Sequence, residues 1–237
     1  MLALVACATG CRQLFGIEPI AGDGGGDGGG DCACLDHPGD SFHDAPVDVP
    51  AMLTLPAVAD TYLNGQQKAN NYGAADPLLY ANLPNTTAVP LMRFDVPHKL
   101  TIASAELHLF IMNNGASGEL AELFQVMQTW DEGTQNGSLG LANWTVATSA
   151  SNWSAPGAGG AARGTTVLAQ GSVSNTGATT LVLNQAGLAV LQGWSDDPVN
   201  NPNFGFVVDS NMNVPFEFSS REDADATRVP TLVIATQ

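Results

Sequence analysis

Two stretches set the pattern of the chain. In residues 90–96, Met92, Phe94 and Val96 fall on one side of an extended backbone while Arg93 and Asp95 fall on the other. In residues 104–111, Ala105, Leu107, Leu109 and Ile111 share a face opposite Glu106 and His108. Period-two alternation describes a strand with one buried and one wetter side. The link between them, residues 97–103, is too short for a crossover helix. That spacing predicts that the two strands pair antiparallel as one wall of a sandwich.

Short strand-like runs separated by turn residues recur from residue 51 onward. They cover 57–63, 78–81, 91–96, 105–112, 122–127, 165–169, 179–183, 204–209, 214–219 and 231–235. One segment, residues 185–194, has a helical pattern: Leu188, Leu191 and Trp194 recur at three-residue spacing, and Gly187 and Gly193 shorten it. Residues 149–164 are rich in Gly, Ala and Ser, which predicts a long surface loop. The expected fold is all-β, an antiparallel β-sandwich or jelly roll with one short helix in a single domain over residues 51–237. A disordered acidic tail precedes it.

That tail has two parts. Residues 1–11 form a short apolar run, about half the length needed to span a bilayer, which reads as the hydrophobic region of a signal peptide. Ala8-Thr9-Gly10-Cys11 resembles a bacterial lipobox, in which small residues precede a cysteine that carries lipid. Leu4-Val5-Ala6-Cys7 also fits, but Cys11 leaves the longer apolar run before it. A cleaved secretory signal without lipid is the alternative, and either reading places the protein outside the cytoplasm, at the cell surface or outer membrane. Residues 12–50 follow as a Gly/Asp/Pro-rich linker with little to bury, hence an extended, self-repelling tether.

Charge and cysteine usage narrow the classes. The net charge is −16 with only 7 Lys and Arg, which argues against nucleic acid and against attraction to an anionic lipid surface. Contact with a membrane is therefore expected only through an N-terminal lipid. Residues 1–50 carry eight acidic side chains against Arg12, a net of −7, leaving −9 for the domain. Cys7, Cys11, Cys32 and Cys34 all precede residue 35, so the domain has no thiol or disulfide. Cys32 and Cys34 are too close for an unstrained bridge to each other, and either stay free or pair within or between tails. No Gly-x-Ser-x-Gly elbow and no glycine-rich phosphate loop with a lysine is present, and His37, His43, His98 and His108 lack zinc-type spacing.

A set of segments then resembles one family. Asp60-Thr61-Tyr62-Leu63, Asn71-Tyr72-Gly73, Leu91-Met92-Arg93-Phe94-Asp95 and Ser104-Ala105-Glu106-Leu107 are similar to the opening of a DNRLRE domain. Trp130-Asp131-Glu132-Gly133-Thr134, Ser219-Ser220-Arg221-Glu222 and Val229-Pro230-Thr231-Leu232 continue the resemblance over roughly residues 56–235. It implies a β-sandwich on a secreted or surface-tethered protein, of the kind classified as carbohydrate-binding module family 96, without catalysis. Some members bind acidic polysaccharide such as alginate through a basic cluster near the Asp-Thr-Tyr segment and the Arg-Phe-Asp strand. Here that region offers Lys68, Arg93 and little else. A neutral glycan fits the domain's charge at least as well.

The expected ligand-binding residues are Lys68, Tyr72, Arg93 and Trp144. A flat ring suits the apolar face of a pyranose, and Trp153, Tyr62 and Tyr80 are further candidates. Arg93 and Asp95 share a strand face and could grip vicinal hydroxyls, or else join Arg221 and Glu222 in a cross-strand network. Asp131 and Glu132 are adjacent and diverge, so turn hydrogen bonds suit them better than a catalytic acid pair. Asp60, Asn64 and Asn71 gather around the first long loop as calcium candidates without a ligand-spaced motif; otherwise no cofactor is implied. The expected function is binding of extracellular polysaccharide by a monomer. A structural or adhesive surface protein that meets other proteins through the sandwich is the alternative.

Overall fold

The computed structural model describes residues 51–114, 120–173, 175–210 and 213–237. The expected signal segment, the lipobox-like residues before Cys11 and the expected linker at 12–50 lie outside the described residues. In chain order the elements are β1 (Met52–Asn64), β2 (Asn70–Asn71), β3 (Leu78–Leu83), β4 (Thr86–Phe94), β5 (Ile102–Asn114), β6 (Leu120–Gln125) and β7 (Ser138–Leu139). They continue with β8 (Val146–Thr148), β9 (Ser151–Asn152), a 3-10 turn (Gly160–Ala162), β10 (Ala169–Ser172) and β11 (Gly177–Leu183). Helix α1 (Gln185–Asp196), β12 (Phe206–Ser210), β13 (Phe216–Phe218) and β14 (Thr231–Thr236) complete the chain.

Ten strands join in one antiparallel sheet of order β1-β14-β5-β11-β10-β6-β12-β4-β3-β13, with small β2–β7 and β8–β9 ribbons beside it. Strand β1 is shared: residues 52–56 pair with β14 and residues 57–64 pair with β4. The sheet therefore returns to its own start, and β13 makes a second link by pairing with both β3 and β5. The outcome is an all-β, barrel-like sandwich, and closure leaves few free edges.

One expectation is corrected. β4 and β5 do not pair with each other. β4 lies between β1, β12 and β3, while β5 lies between β14, β11 and β13. The physical reason is in the alternation itself. Met92 and Phe94 from β4 and Ala105, Leu107, Leu109 and Ile111 from β5 all turn into the same buried cluster. Two strands that close one core from different parts of the sheet need a crossing link rather than a hairpin. Residues 97–103 are that link, and α1 holds it. Ser195 Oγ donates to the Pro97 carbonyl at 2.8 Å, and Gln192 Nε2 donates to the Leu100 carbonyl at 2.7 Å.

The helix forms where its spacing predicts. Asn184 caps it, accepting from the amides of Ala186 and Gly187 at 2.9 and 3.1 Å. Leu191 and Trp194 are buried against the core. Gly187 is required by contact: a Cβ there would stand 2.6 Å from the Leu168 carbonyl oxygen.

A second apolar cluster was not legible from the pattern. Leu91 and Val207, on the opposite faces of β4 and β12 from Met92 and Phe206, pack with Ala59, Leu63, Val126, Trp130, Trp153 and Ala162. This part of the sheet is thus buried on both sides, which explains the almost continuous apolar run in β4. The covering comes partly from residues 149–164. That segment is therefore not a plain surface loop, since Trp153, Ala158 and Ala162 are buried within it. The strand expected at 165–169 begins only at Ala169.

Candidate functional site

The odd-numbered side chains of β4, Thr87, Val89, Leu91 and Arg93, share one face over about 20 Å. Loops carrying Trp130, Trp144 and Trp153 cover the middle of that face. A groove opens toward each end.

The groove at the Thr87 end has a volume of about 510 Å³ and is lined by Tyr80, Asn82, Thr87, Trp144, Arg163 and Asp209 among others. Trp144 is half-buried. Its place is fixed by the turn before it, where Asn143 Oδ1 accepts from the amides of Thr145 and Val146 at 2.9 and 2.8 Å. It is fixed from the other side by Gly157, whose amide donates to the Trp144 carbonyl at 2.8 Å. Gly157 has φ +74°, and a Cβ there would meet Trp144 Cη2 at 2.6 Å, so only glycine lets the loop lie on the ring. Arg163 donates to Asp209 through Nη1, which makes the groove's ionic pair neutral overall. Asn82 and Thr87 add uncharged polar groups.

The groove at the other end, about 700 Å³, is lined by Val58, Arg93, Asp95, His98, Trp194 and Asn203 among others. The Arg93 guanidinium lies over the Trp130 ring, 5.4 Å from its centroid. Asn203 is committed to structure, donating to the Phe94 carbonyl at 2.7 Å and accepting from the Gly205 amide at 3.0 Å.

The four expected ligand residues are thus divided. Trp144 and Arg93 line different grooves, and Lys68 and Tyr72 line neither of the two. Lys68 is exposed, whereas Tyr72 is buried and stacked on Tyr62 with ring centroids 4.2 Å apart. The Tyr72 hydroxyl donates to Gln67 Oε1. Trp153 and Tyr80 are buried as well, their polar atoms donating to the carbonyls of Asn143 and Ser210.

A different constellation forms where three distant segments meet. Asp60 on β1 is fully buried, and its amide donates to Glu132 Oε1 at 2.6 Å. Arg221 grips Glu132 with two bonds, Nε to Oε1 at 2.7 Å and an Nη2 bond to Oε2 at 3.0 Å, and its Nε also stands 3.0 Å from Glu222 Oε1. The Arg221 amide donates to Asp60 Oδ2 at 2.8 Å. The Glu132 turn is held by Asn71, which donates to the Glu132 carbonyl at 2.6 Å and accepts from the Gln135 amide at 2.9 Å. Gly133, at φ +76°, sits against that Asn71 side chain. Burial, followed by the nearby Glu222 and Glu132, pushes Asp60 up to about 8 against a lowering bond from the Arg221 amide. Burial also raises Glu222, while the bond to Glu132 raises Arg221.

Arg221 and Glu222 therefore pair with Glu132 and Asp60, not with Arg93 and Asp95. Of the calcium candidates, Asn71 and Asn64 spend their side-chain oxygens on turns, Asn64 accepting from the amides of Gln66 and Gln67. Asp60 alone of that set enters the cluster. Glu132 and Glu222 were not foreseen there because they are far from Asp60 in sequence. One signal was available: all four members fall in the short segments that carry the family resemblance.

The domain is thus a barrel-like β-sandwich with two open grooves and a separate carboxylate cluster bridged by an arginine. Residues 51–138 match the model of carbohydrate-binding module family 96, so the chain carries a domain like those of that family. Modules of this kind are in general non-catalytic. The match spans β1 to β6, including Asp60 and Glu132, and stops before Trp144, Arg163 and Arg221. No curated protein matches the sequence.

Proposed function

We propose that the protein binds extracellular polysaccharide in the Trp144 groove and that the glycan is neutral. The observation that carries this reading is the half-buried indole at the wall of an open groove beside Asn82, Thr87 and the self-neutralised Arg163–Asp209 pair. A ring face supports a pyranose, and amide, hydroxyl and paired ionic groups serve its hydroxyls. The domain's residual charge of −9 opposes a polyanion, and no unpaired cation of the groove offsets it. The lipobox at Cys11 and the acidic linker support a surface-anchored module held away from the membrane, with Cys7 as the other acceptor. Affinity electrophoresis of the full chain through gels containing neutral polysaccharides or a polyuronate tests the proposal. Retardation by a neutral polymer is expected; retardation by the polyuronate alone, or by none, refutes it. Radiolabelled palmitate should enter the wild type and be lost in Cys11→Ala; undiminished labelling removes Cys11 as the anchor.

A further inference from the structure

Among the described residues, seven buried side-chain polar atoms have no hydrogen-bond partner. Five are oxygens, and all five fall in two segments: Asp60 Oδ1 and Thr61 Oγ1 on β1, and Ser219 Oγ, Glu222 Oε2 and Asp223 Oδ2 just after β13. Asp60 Oδ1 and Glu222 Oε2 belong to one carboxylate cluster, and two such acceptors side by side need a proton or a cation between them.

The spacing agrees. One oxygen of each of Asp60, Glu132 and Glu222 lies within 4.8 Å of the others. Two oxygens on one calcium ion, each at 2.3–2.6 Å, stand no more than about 5 Å apart. Glu132 is engaged by Arg221, yet its Oε2 accepts one hydrogen bond and keeps a second lone pair. The charges agree as well. Three carboxylates face one guanidinium, leaving two negative charges around a fully buried Asp60. A single shared proton serves one pair of oxygens and removes one of those charges, whereas a divalent cation meets both.

We propose that Asp60, Glu132 and Glu222 form a calcium site, with Arg221 fixing the orientation of the Glu132 carboxylate. The site is distinct from the Trp144 groove and stands independently of the glycan reading. Its role is to tie β1, the turn at Glu132 and the segment after β13 into one unit.

The test uses the full chain, freed of divalent ions with a chelator and titrated with calcium chloride alone. Calorimetry should show one ion bound per chain. The melting temperature should rise by roughly 5–10 °C once calcium exceeds its Kd a hundredfold. Asp60→Asn and Glu222→Gln should abolish both effects. Should either variant fold poorly, terbium luminescence of the wild type, displaced by calcium with the same stoichiometry, supplies the second readout. No heat and no thermal shift overturns the proposal in favour of a shared proton. Weak binding of several ions that survives Asp60→Asn overturns it in favour of loose surface association.

Discussion

The buried carboxylate at Asp60 makes the calcium-free protein sensitive to pH in a direction opposite to that of an ordinary salt-bridged aspartate. Its carboxyl titrates near 3.8 when free and is pushed up to about 8 in the fold, first by burial and then by Glu222 and Glu132. Below about pH 4 both folded and unfolded chains hold this proton, and its effect on stability is at its most favourable. Between about pH 4 and about pH 8 the unfolded chain releases the proton while the folded chain keeps it, so stability falls as pH rises. Above about pH 8 both states are ionised and the loss is complete. Each pH unit between those two values is worth about 1.4 kcal/mol, which bounds the total at about 6 kcal/mol, a large part of the stability of an ordinary domain. Urea unfolding in chelator at pH 5, 6, 7 and 8, followed by tryptophan fluorescence, measures it for the wild type and Asp60→Asn. The wild type should lose stability steadily relative to the variant across that range, and calcium should flatten the difference. A wild-type curve that runs parallel to that of Asp60→Asn, or rises above it with pH, refutes the assignment of the proton to Asp60.

Other outcomes follow from single contacts. Leu107→Ala removes a fully buried side chain from the main core and should cost about 2–5 kcal/mol by denaturant unfolding. Asn184→Ala removes the helix cap and should cost about 1 kcal/mol; a cost near zero would mean the cap bonds are replaced by water. Gly157→Ala places a methyl against the Trp144 ring at an unfavourable φ, so polysaccharide binding should fall sharply while circular dichroism stays that of a β-protein.

Much of the sandwich was legible because its signals are local. Leu107, Leu109 and Ile111 announce a one-sided strand by alternation alone, and Leu188, Leu191 and Trp194 announce the helix face. Pairing was not legible. The same alternation that identified β4 and β5 fits strands side by side and strands that meet across one core, and a short link permits both. Whether residues 149–164 cover the sheet also lay beyond composition, since Ala158 and Ala162 count as small loop residues until a neighbouring face needs them. The site divided in the same way. Trp144 and Trp153 both have small, polar sequence neighbours, yet Trp144 lines a groove and Trp153 is buried, a difference set by loop packing. The Asp60 cluster depends on three segments that are adjacent only after closure of the sheet, so no spacing within one segment could reveal it.

Isothermal titration of the polysaccharide that retards the protein most, into the wild type and Trp144→Ala, tests the binding account most directly. Loss of the indole should weaken affinity at least about tenfold, equivalent to about 1.4 kcal/mol, with the melting temperature little changed. Undiminished affinity in Trp144→Ala would contradict the account and place the glycan elsewhere on the domain.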